Sequence, residues 1–270
     1  MTKTWLITGA SSGLGRAMTE QLLTRGDHVI ATVRNTDALA DLLTSHEQTL
    51  RVMVLDLTDT PAIRHVIGDA FGAAGRIDVV VSNAGYGAFG AAEELQDDQI
   101  ERQIATNLTG SIQLIRACLP HLRAQGGGRV LQLSSTGGQV AYPAFSIYHA
   151  TKWGIEGFVE AVAQETAGFG IDFILAEPGP TATSFSINLD RAEAMPEYDD
   201  TPSGAVRRMF ANGGSLAKRD DAGVTANRMI AAADADRPPL RLVLGDVSYE
   251  HIEHALSARL DAVRAQKPTS

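Results

Sequence analysis

Tyr148 and Lys152 stand four residues apart in Tyr148-His-Ala-Thr-Lys152. On a helix that spacing puts both side chains on one face. A phenol is ordinarily protonated, with a pKa near ~10. A neighbouring ammonium favours the phenolate and lowers that pKa, bringing proton donation and abstraction toward the working range. Ser135 precedes the pair by 13 residues and carries a hydroxyl that can hydrogen-bond a substrate oxygen. Taken singly, Ser135 also reads as a loop hydroxyl and Tyr148 as an interfacial aromatic. His149 points off the shared face and is read as non-catalytic. The absence of a GxSxG nucleophile elbow around Ser135 argues against a serine hydrolase. No paired carboxylates or metal-ligand spacing stand out. The group Glu250, His251, Glu253 and His254 does not make a metal site the expectation.

A second chemistry-bearing run is Thr8-Gly9-Ala10-Ser11-Ser12-Gly13-Leu14-Gly15. It follows an apolar strand and opens a helix. Glycine lets the chain turn tightly and approach a ligand closely, and the helix start offers unpaired N–H groups to a phosphate. Arg34 lies 19 positions after Gly15, in Ala31-Thr32-Val33-Arg34-Asn35. A site for NAD usually has an acidic residue there, holding the ribose 2′-hydroxyl. The absence of a carboxylate from that stretch, and a guanidinium able to pair with a 2′-phosphate, favour NADP(H). Asp56, beside Leu57 after the third strand, could accept from an adenine amino group or simply cap a turn.

These residues need a scaffold. Short apolar runs alternate with amphipathic stretches. Strands are expected at Trp5–Thr8, His28–Val33, Arg51–Leu55, Asp78–Val81, Arg129–Leu133, Asp172–Leu175 and Leu240–Leu244. Helices are expected at Leu14–Arg25, Thr36–Ser45, Thr60–Ala73, Gln99–Ala124 (interrupted or bent), Tyr148–Ala167 and Tyr249–Ala265. The alternation predicts an α/β, doubly wound (Rossmann) seven-stranded parallel sheet with helices on both faces. Residues 1–270 read as a single domain. The poorly periodic stretch from Ser184 to Leu216 reads as a substrate lid. Ile252, Leu256, Leu260 and Val263 form a stripe expected to pack on the core or on another subunit. The tail Pro268–Ser270 reads as frayed.

Composition narrows the function classes. The 270 residues carry 23 Lys and Arg against 32 Asp and Glu, a formal net charge of −9. That argues against a broad nucleic-acid surface. The single Cys118 excludes an internal disulfide framework, and reads as a small buried residue. No window has the apolar length of a membrane span, and the start shows no signal-peptide pattern, so a cytoplasmic protein is expected.

Together these motifs resemble the classical branch of the short-chain dehydrogenase/reductase family, over roughly Thr4 to Thr183. The glycine run is similar to its TGxxxGxG motif. Ser82-Asn83-Ala84-Gly85 is similar to its NNAG motif, with Ser in the first place. Ser135 and the Tyr148–Lys152 pair match its catalytic Ser and YxxxK. The resemblance implies a nicotinamide-dependent oxidoreductase interconverting a ketone or aldehyde with an alcohol. It implies that Asn83, Ala84 and Gly85 stabilise the sheet and line the adenosine side. Pro178, Gly179 and Thr183 would hold the nicotinamide half, and Lys152 its ribose. Asn107 would anchor a water near Lys152. Ser135 would polarise the carbonyl oxygen while Tyr148 delivers the proton.

A fairly apolar substrate pocket is expected from Tyr86, Phe89, Gln139, Val140, Phe145, Phe185, Met195 and Tyr198, with Gly137 and Gly138 leaving room beside the carbonyl. The partner expected is a small carbonyl or alcohol, with no nucleic acid or membrane. The resemblance also implies self-association, as a homodimer or homotetramer, through the Gln99–Ala124 and Tyr148–Ala167 helices. The competing reading is a catalytically silent NADP-binding regulatory or scaffold protein.

Overall fold

A computed structural model describes residues 2–212 and 218–267. Its centre is a seven-stranded parallel sheet made of β1 (Thr4–Thr8), β2 (His28–Val33), β3 (Leu50–Val54), β4 (Val79–Ser82), β6 (Gly128–Leu133), β7 (Ile171–Pro178) and β9 (Arg241–Leu244). Two-residue strands β5 (Ala88–Phe89) and β8 (Asp190–Arg191) pair separately. The order across the large sheet is β3-β2-β1-β4-β6-β7-β9. The chain therefore moves outward one way from β1 to β3, then returns and moves the other way from β4. The crevice beyond the strand ends at that reversal is where doubly wound sheets bind ligands.

Parallel strands buried on both faces must be apolar on both. Side chains alternate along a strand, and β1 divides accordingly. Trp5 and Ile7 join one core layer with Met18 and Leu22 of α1 (Gly13–Arg25) and Met229 of α8 (Ala222–Asp234). Leu6 joins the opposite layer. There it meets α3 (Thr60–Ala74), α5 (Ser111–Ala124) and α6 (Ser146–Glu165) through residues such as Ile67, Leu114 and Ile155. Cys118 is buried in this second layer, where burial pushes its thiol up.

All seven expected strands are present. The expected Gln99–Ala124 helix is two helices, α4 (Asp97–Ile104) and α5, joined through a wider π-helical turn, Ala105–Gly110. Gly110 passes 2.8 Å (for a would-be Cβ) from the Leu57 side chain, so the path of the turn is set by contact with the segment after β3. The expected Thr36–Ser45 helix is a 3-10 turn, Thr36–Leu39, followed by the short α2 (Ala40–Ser45).

Between Ser184 and Leu216 the described part is more ordered than a plain loop. It contains β8 and α7 (Pro202–Ala211). Thr201 caps α7 by accepting from Gly204 N, and Pro202 occupies its first turn. Residues 213–216 of this stretch, and the tail Pro268–Ser270, lie outside the described residues. Helix α8 was not expected from periodicity, although Asp221 caps it by accepting from Val224 N. The last helix is α9 (Asp246–Arg264). Of its apolar stripe only Ile252 is buried, whereas Leu256, Leu260 and Val263 are exposed within this chain. Among the described residues no helix is long and apolar enough to cross a membrane.

Candidate active site

The glycine turn is a consequence of close packing at the β1–β4 junction. Gly9 has φ +65° and Gly13 has φ +55°, both in the left-handed region that favours glycine. Gly15 faces a different restriction, because a Cβ there would stand 2.5 Å from Asn83 Nδ2. Asn83 ties the two strand ends together. Its Nδ2 donates to Thr8 O at 2.8 Å and to Gly9 O at 3.2 Å, and its backbone N donates to Thr8 Oγ1 at 2.9 Å. Helix α1 then starts at the pocket with no side-chain cap from Ser12 and no acidic residue in its first turn. Its amino end is thus an open, electropositive site suited to a phosphate.

A single pocket of about 1150 Å³ runs from this turn across the ends of the sheet. Gly9, Ser11, Ser12, Gly13 and Leu14 line it, as do Arg34, Asp56, Leu57, Asn83, Ala84 and Gly85. Ser135, Tyr148, Lys152, Pro178, Gly179 and Thr183 line it further along. Gly15 does not; it is buried beneath the turn and permits the turn's packing. Arg34 is exposed at the end of β2, and its charge helps hold the Asp56 carboxyl below its ordinary range. The larger cause is Asp56's bond from Thr58 N, at 2.8 Å, so Asp56 does cap a turn. Thr183 Oγ1 accepts from Phe185 N at 3.3 Å, fixing the turn that brings Phe185 to the pocket.

The candidate catalytic side chains converge from β6 and α6. Ser135 follows β6 and accepts from Gly137 N at 3.0 Å, which leaves its own O–H free to donate. Lys152 is buried, and its Nζ donates to Leu133 O at 2.8 Å. Burial pulls the Lys152 ammonium down to about 8, against the opposing charge of Glu156. Tyr148 departs from expectation. Burial pushes its phenol up to about 12, and the Ser135 hydroxyl only partly opposes this. Lys152 Nζ lies 5.6 Å from the centre of the Tyr148 ring and donates to Leu133 O, so desolvation dominates at the phenol.

Asn107 holds the neighbouring loop. Its Oδ1 accepts from Tyr86 N at 3.1 Å and its Nδ2 donates to Tyr86 O at 2.7 Å. Both side-chain atoms therefore pin the Gly85–Tyr86 backbone. The π-helical turn is what presents Asn107 to that loop. His149 has both ring nitrogens engaged, Nδ1 with Gly137 O at 2.9 Å and Nε2 with Tyr142 N at 2.8 Å.

Of the expected substrate-side residues, Tyr86, Phe145 and Phe185 line the pocket. Phe89 instead packs into a small aromatic core with Phe145 and Phe210. Gln139 is buried and donates to Glu156 and Glu177. Val140 is half-buried outside the pocket. Met195 N is held by Glu94 at 2.9 Å and Tyr198 Oη donates to Glu93 at 2.9 Å, and neither residue lines the pocket. Gly137 and Gly138 do not provide room for substrate; they fit against His149 and Glu156. The aromatic wall is completed by Tyr142 and Phe210, with Arg219 and His251 also lining the pocket. Phe210 lies one helical turn from Val206 on α7, an i,i+4 apolar pair that periodicity within 202–211 could have revealed. His251 reaches the pocket only because α9 crosses its end.

The sequence profile described as short chain dehydrogenase matches residues 3–194. The chain belongs to the short-chain dehydrogenase family. This short-chain dehydrogenase is 36% identical to Oxidoreductase BOA17 of Botryotinia fuckeliana, over 93% of this chain and 92% of that protein. It is 31% identical to a 3-ketodihydrosphingosine reductase of Bacteroides thetaiotaomicron, over 76% of this chain and 73% of that one. Among solved structures, a short-chain dehydrogenase from Streptomyces avermitilis superimposes with a TM-score of 0.87 at 36% identity, covering 98% of this chain and 95% of that chain. The chain is thus an oxidoreductase by family, built on the Rossmann-like sheet.

Proposed function

We propose that this oxidoreductase is an NADP(H)-dependent carbonyl reductase acting on a fairly apolar ketone or aldehyde. The observation that carries the reading is the convergence of Ser135, Tyr148 and Lys152 in the same pocket as the open end of α1 and Arg34. The turn fits a dinucleotide. Its close-packed glycines bring backbone up to the pocket, and α1 offers uncapped N–H groups. Arg34 would hold a 2′-phosphate, and Lys152 and Thr183 the nicotinamide half. Bound there, the cofactor supplies or accepts the hydride.

The chain's own residues then have distinct tasks. Ser135 donates to the carbonyl oxygen, where negative charge grows as the carbon is reduced. Tyr148, protonated because its phenol is pushed up to about 12, gives that oxygen its proton. Lys152 holds positive charge beneath the ring and favours the phenolate that results. Phe145, Phe185 and Phe210 exclude water and favour an apolar substrate body. Similarity to a reductase named for a keto substrate supports the direction toward alcohol. The same reading takes residues 1–270 as one catalytic domain with its lid at 184–216, acting in the cytoplasm. It includes self-association through α5 and α6, where Trp153 is exposed.

The test is purified protein with NADPH and a panel of aryl, alicyclic and long-chain ketones, followed by loss of nicotinamide absorbance. Turnover should fall by ~10²–10⁴ in Tyr148→Phe while NADPH still binds. Binding of NADPH without turnover of any ketone would favour a silent nucleotide-binding protein and overturn the reductase reading.

A further inference from the structure

Two successive turns of α6 grip the segment that carries Ser135. Lys152 Nζ donates to Leu133 O at 2.8 Å. One turn further on, Glu156 accepts from Ser134 Oγ at 2.5 Å and from Gln139 Nε2 at 2.5 Å. Ser135 has extended backbone, so neighbouring side chains leave on opposite sides. Ser134 goes back to Glu156, and Ser135 goes forward to the pocket. Gly138 passes so close to Glu156 that a Cβ would displace the carboxylate.

Glu156 is only 3% exposed, and every partner it has is a donor, the arrangement suited to a carboxylate. The charged groups facing it come from three elements. Lys152 and Glu160 lie along α6, Glu177 projects from β7, and Arg241 from β9. Arg241 pairs with Glu156, with Glu177 at 2.7 Å and with Glu160 at 2.7 Å. One guanidinium therefore serves three carboxylates. Burial and the charge of Glu156 push the Glu177 carboxyl up, and its Oε2 has no partner among the described residues. The buried ammonium of Lys152, one turn before Glu156 on α6, feels its charge, and Arg259 of α9 donates to Gln139 O.

We propose that Glu156 is a positioning residue for the reaction at Ser135, Tyr148 and Lys152. Its carboxylate fixes the Ser134–Gln139 segment from behind and supplies the negative charge behind the Lys152 ammonium. The proposal rests on the reductase reading for its catalytic consequence, and the test separates the two.

The chain has 4 lysines, so ¹³Cε-lysine labelling resolves Lys152 by NMR without any turnover. Wild-type Lys152 should titrate near 8. Glu156→Gln should lower that midpoint by roughly half a unit to one unit, and Arg241→Gln, which unshields Glu156, should raise it. Glu165→Gln, at the exposed end of α6, should leave it unchanged. With NADPH and ketone, Glu156→Gln should lower kcat roughly 3- to 10-fold and move the alkaline limb of the pH profile with Lys152. Ser134→Ala keeps the charge and deletes one contact, so it should lower kcat without moving Lys152. It also serves as the test of positioning if Glu156→Gln fails to fold. An unmoved Lys152 in Glu156→Gln or, if that variant does not fold, in Arg241→Gln overturns the charge role. Wild-type kcat in Ser134→Ala overturns the positioning role. Wild-type protein that reduces no ketone overturns the reductase reading, while the Lys152 titration still reports on Glu156.

Discussion

Gly15→Ala puts a methyl group into space that the glycine turn already fills. Its Cβ would stand 2.5 Å from Asn83 Nδ2 and closer still to Gly9 O. Neither neighbour is the loose end of a flexible side chain, since Asn83 Nδ2 is bonded to Thr8 O at 2.8 Å and to Gly9 O at 3.2 Å. Overpacking of this kind costs ~1–3 kcal/mol. A displaced Asn83 amide gives up two hydrogen bonds, at ~0.5–1.5 kcal/mol each. Alanine recovers ~1 kcal/mol over glycine in the helix. The balance is a loss centred near ~3 kcal/mol, or about 6–12 °C in melting temperature.

Gly72→Ala is the matched control. Gly72 is exposed on α3 with nothing within 4 Å of a Cβ, so alanine there should stabilise by up to ~1 kcal/mol. Urea titration of both variants gives the two free energies, and NADPH fluorescence titration reports whether the distorted turn loses affinity. A Gly15→Ala variant within ~0.5 kcal/mol of wild type would refute the reasoning, as would equal losses at the two positions.

Arg34→Asp should raise the NADPH dissociation constant by roughly 10- to 100-fold, through loss of a charge-assisted hydrogen bond. NADH affinity should hold or improve, and unchanged NADPH binding would remove Arg34 from the phosphate site. Ketone reduction should decline above pH ~8, because Lys152 is charged below its midpoint of about 8 and neutral above it, while Tyr148 keeps its proton to about 12. A profile flat to pH ~10 would contradict that assignment. Asn107→Ala should destabilise by ~1–3 kcal/mol and loosen the Gly85–Tyr86 loop, measurable as faster amide exchange at Tyr86.

Much of the architecture was legible because its causes are local. Runs such as Trp5-Leu-Ile-Thr8 are apolar on both faces, and a parallel sheet is the structure that buries both. The glycine turn announced itself through residue types whose backbone freedom is intrinsic. Less legible was whatever depends on neighbours distant in sequence. Helix α8 carries a cap at Asp221 but weak periodicity, and it is stabilised mainly by packing against α1 and the sheet. Gln139 follows Ser135 closely, yet turns away from the pocket because two carboxylates from α6 and β7 await it.

By itself, the sequence determined that Tyr148 and Lys152 share a helical face, that Gly9 and Gly13 make a tight turn between β1 and α1, and that no carboxylate directly follows β2 at Arg34. These follow from backbone geometry and side-chain type, which act over a few residues. The tertiary structure decided how those groups are charged and held. Burial in the closed fold raises the Tyr148 phenol, where adjacency to Lys152 alone argues for lowering it. Packing of α4 and α5 around a π-helical turn presents the Asn107 side chain to the Tyr86 backbone, a contact the linear sequence does not show. Desolvation and long-range pairing are sums over the whole fold, so they exist only once the chain has closed around them.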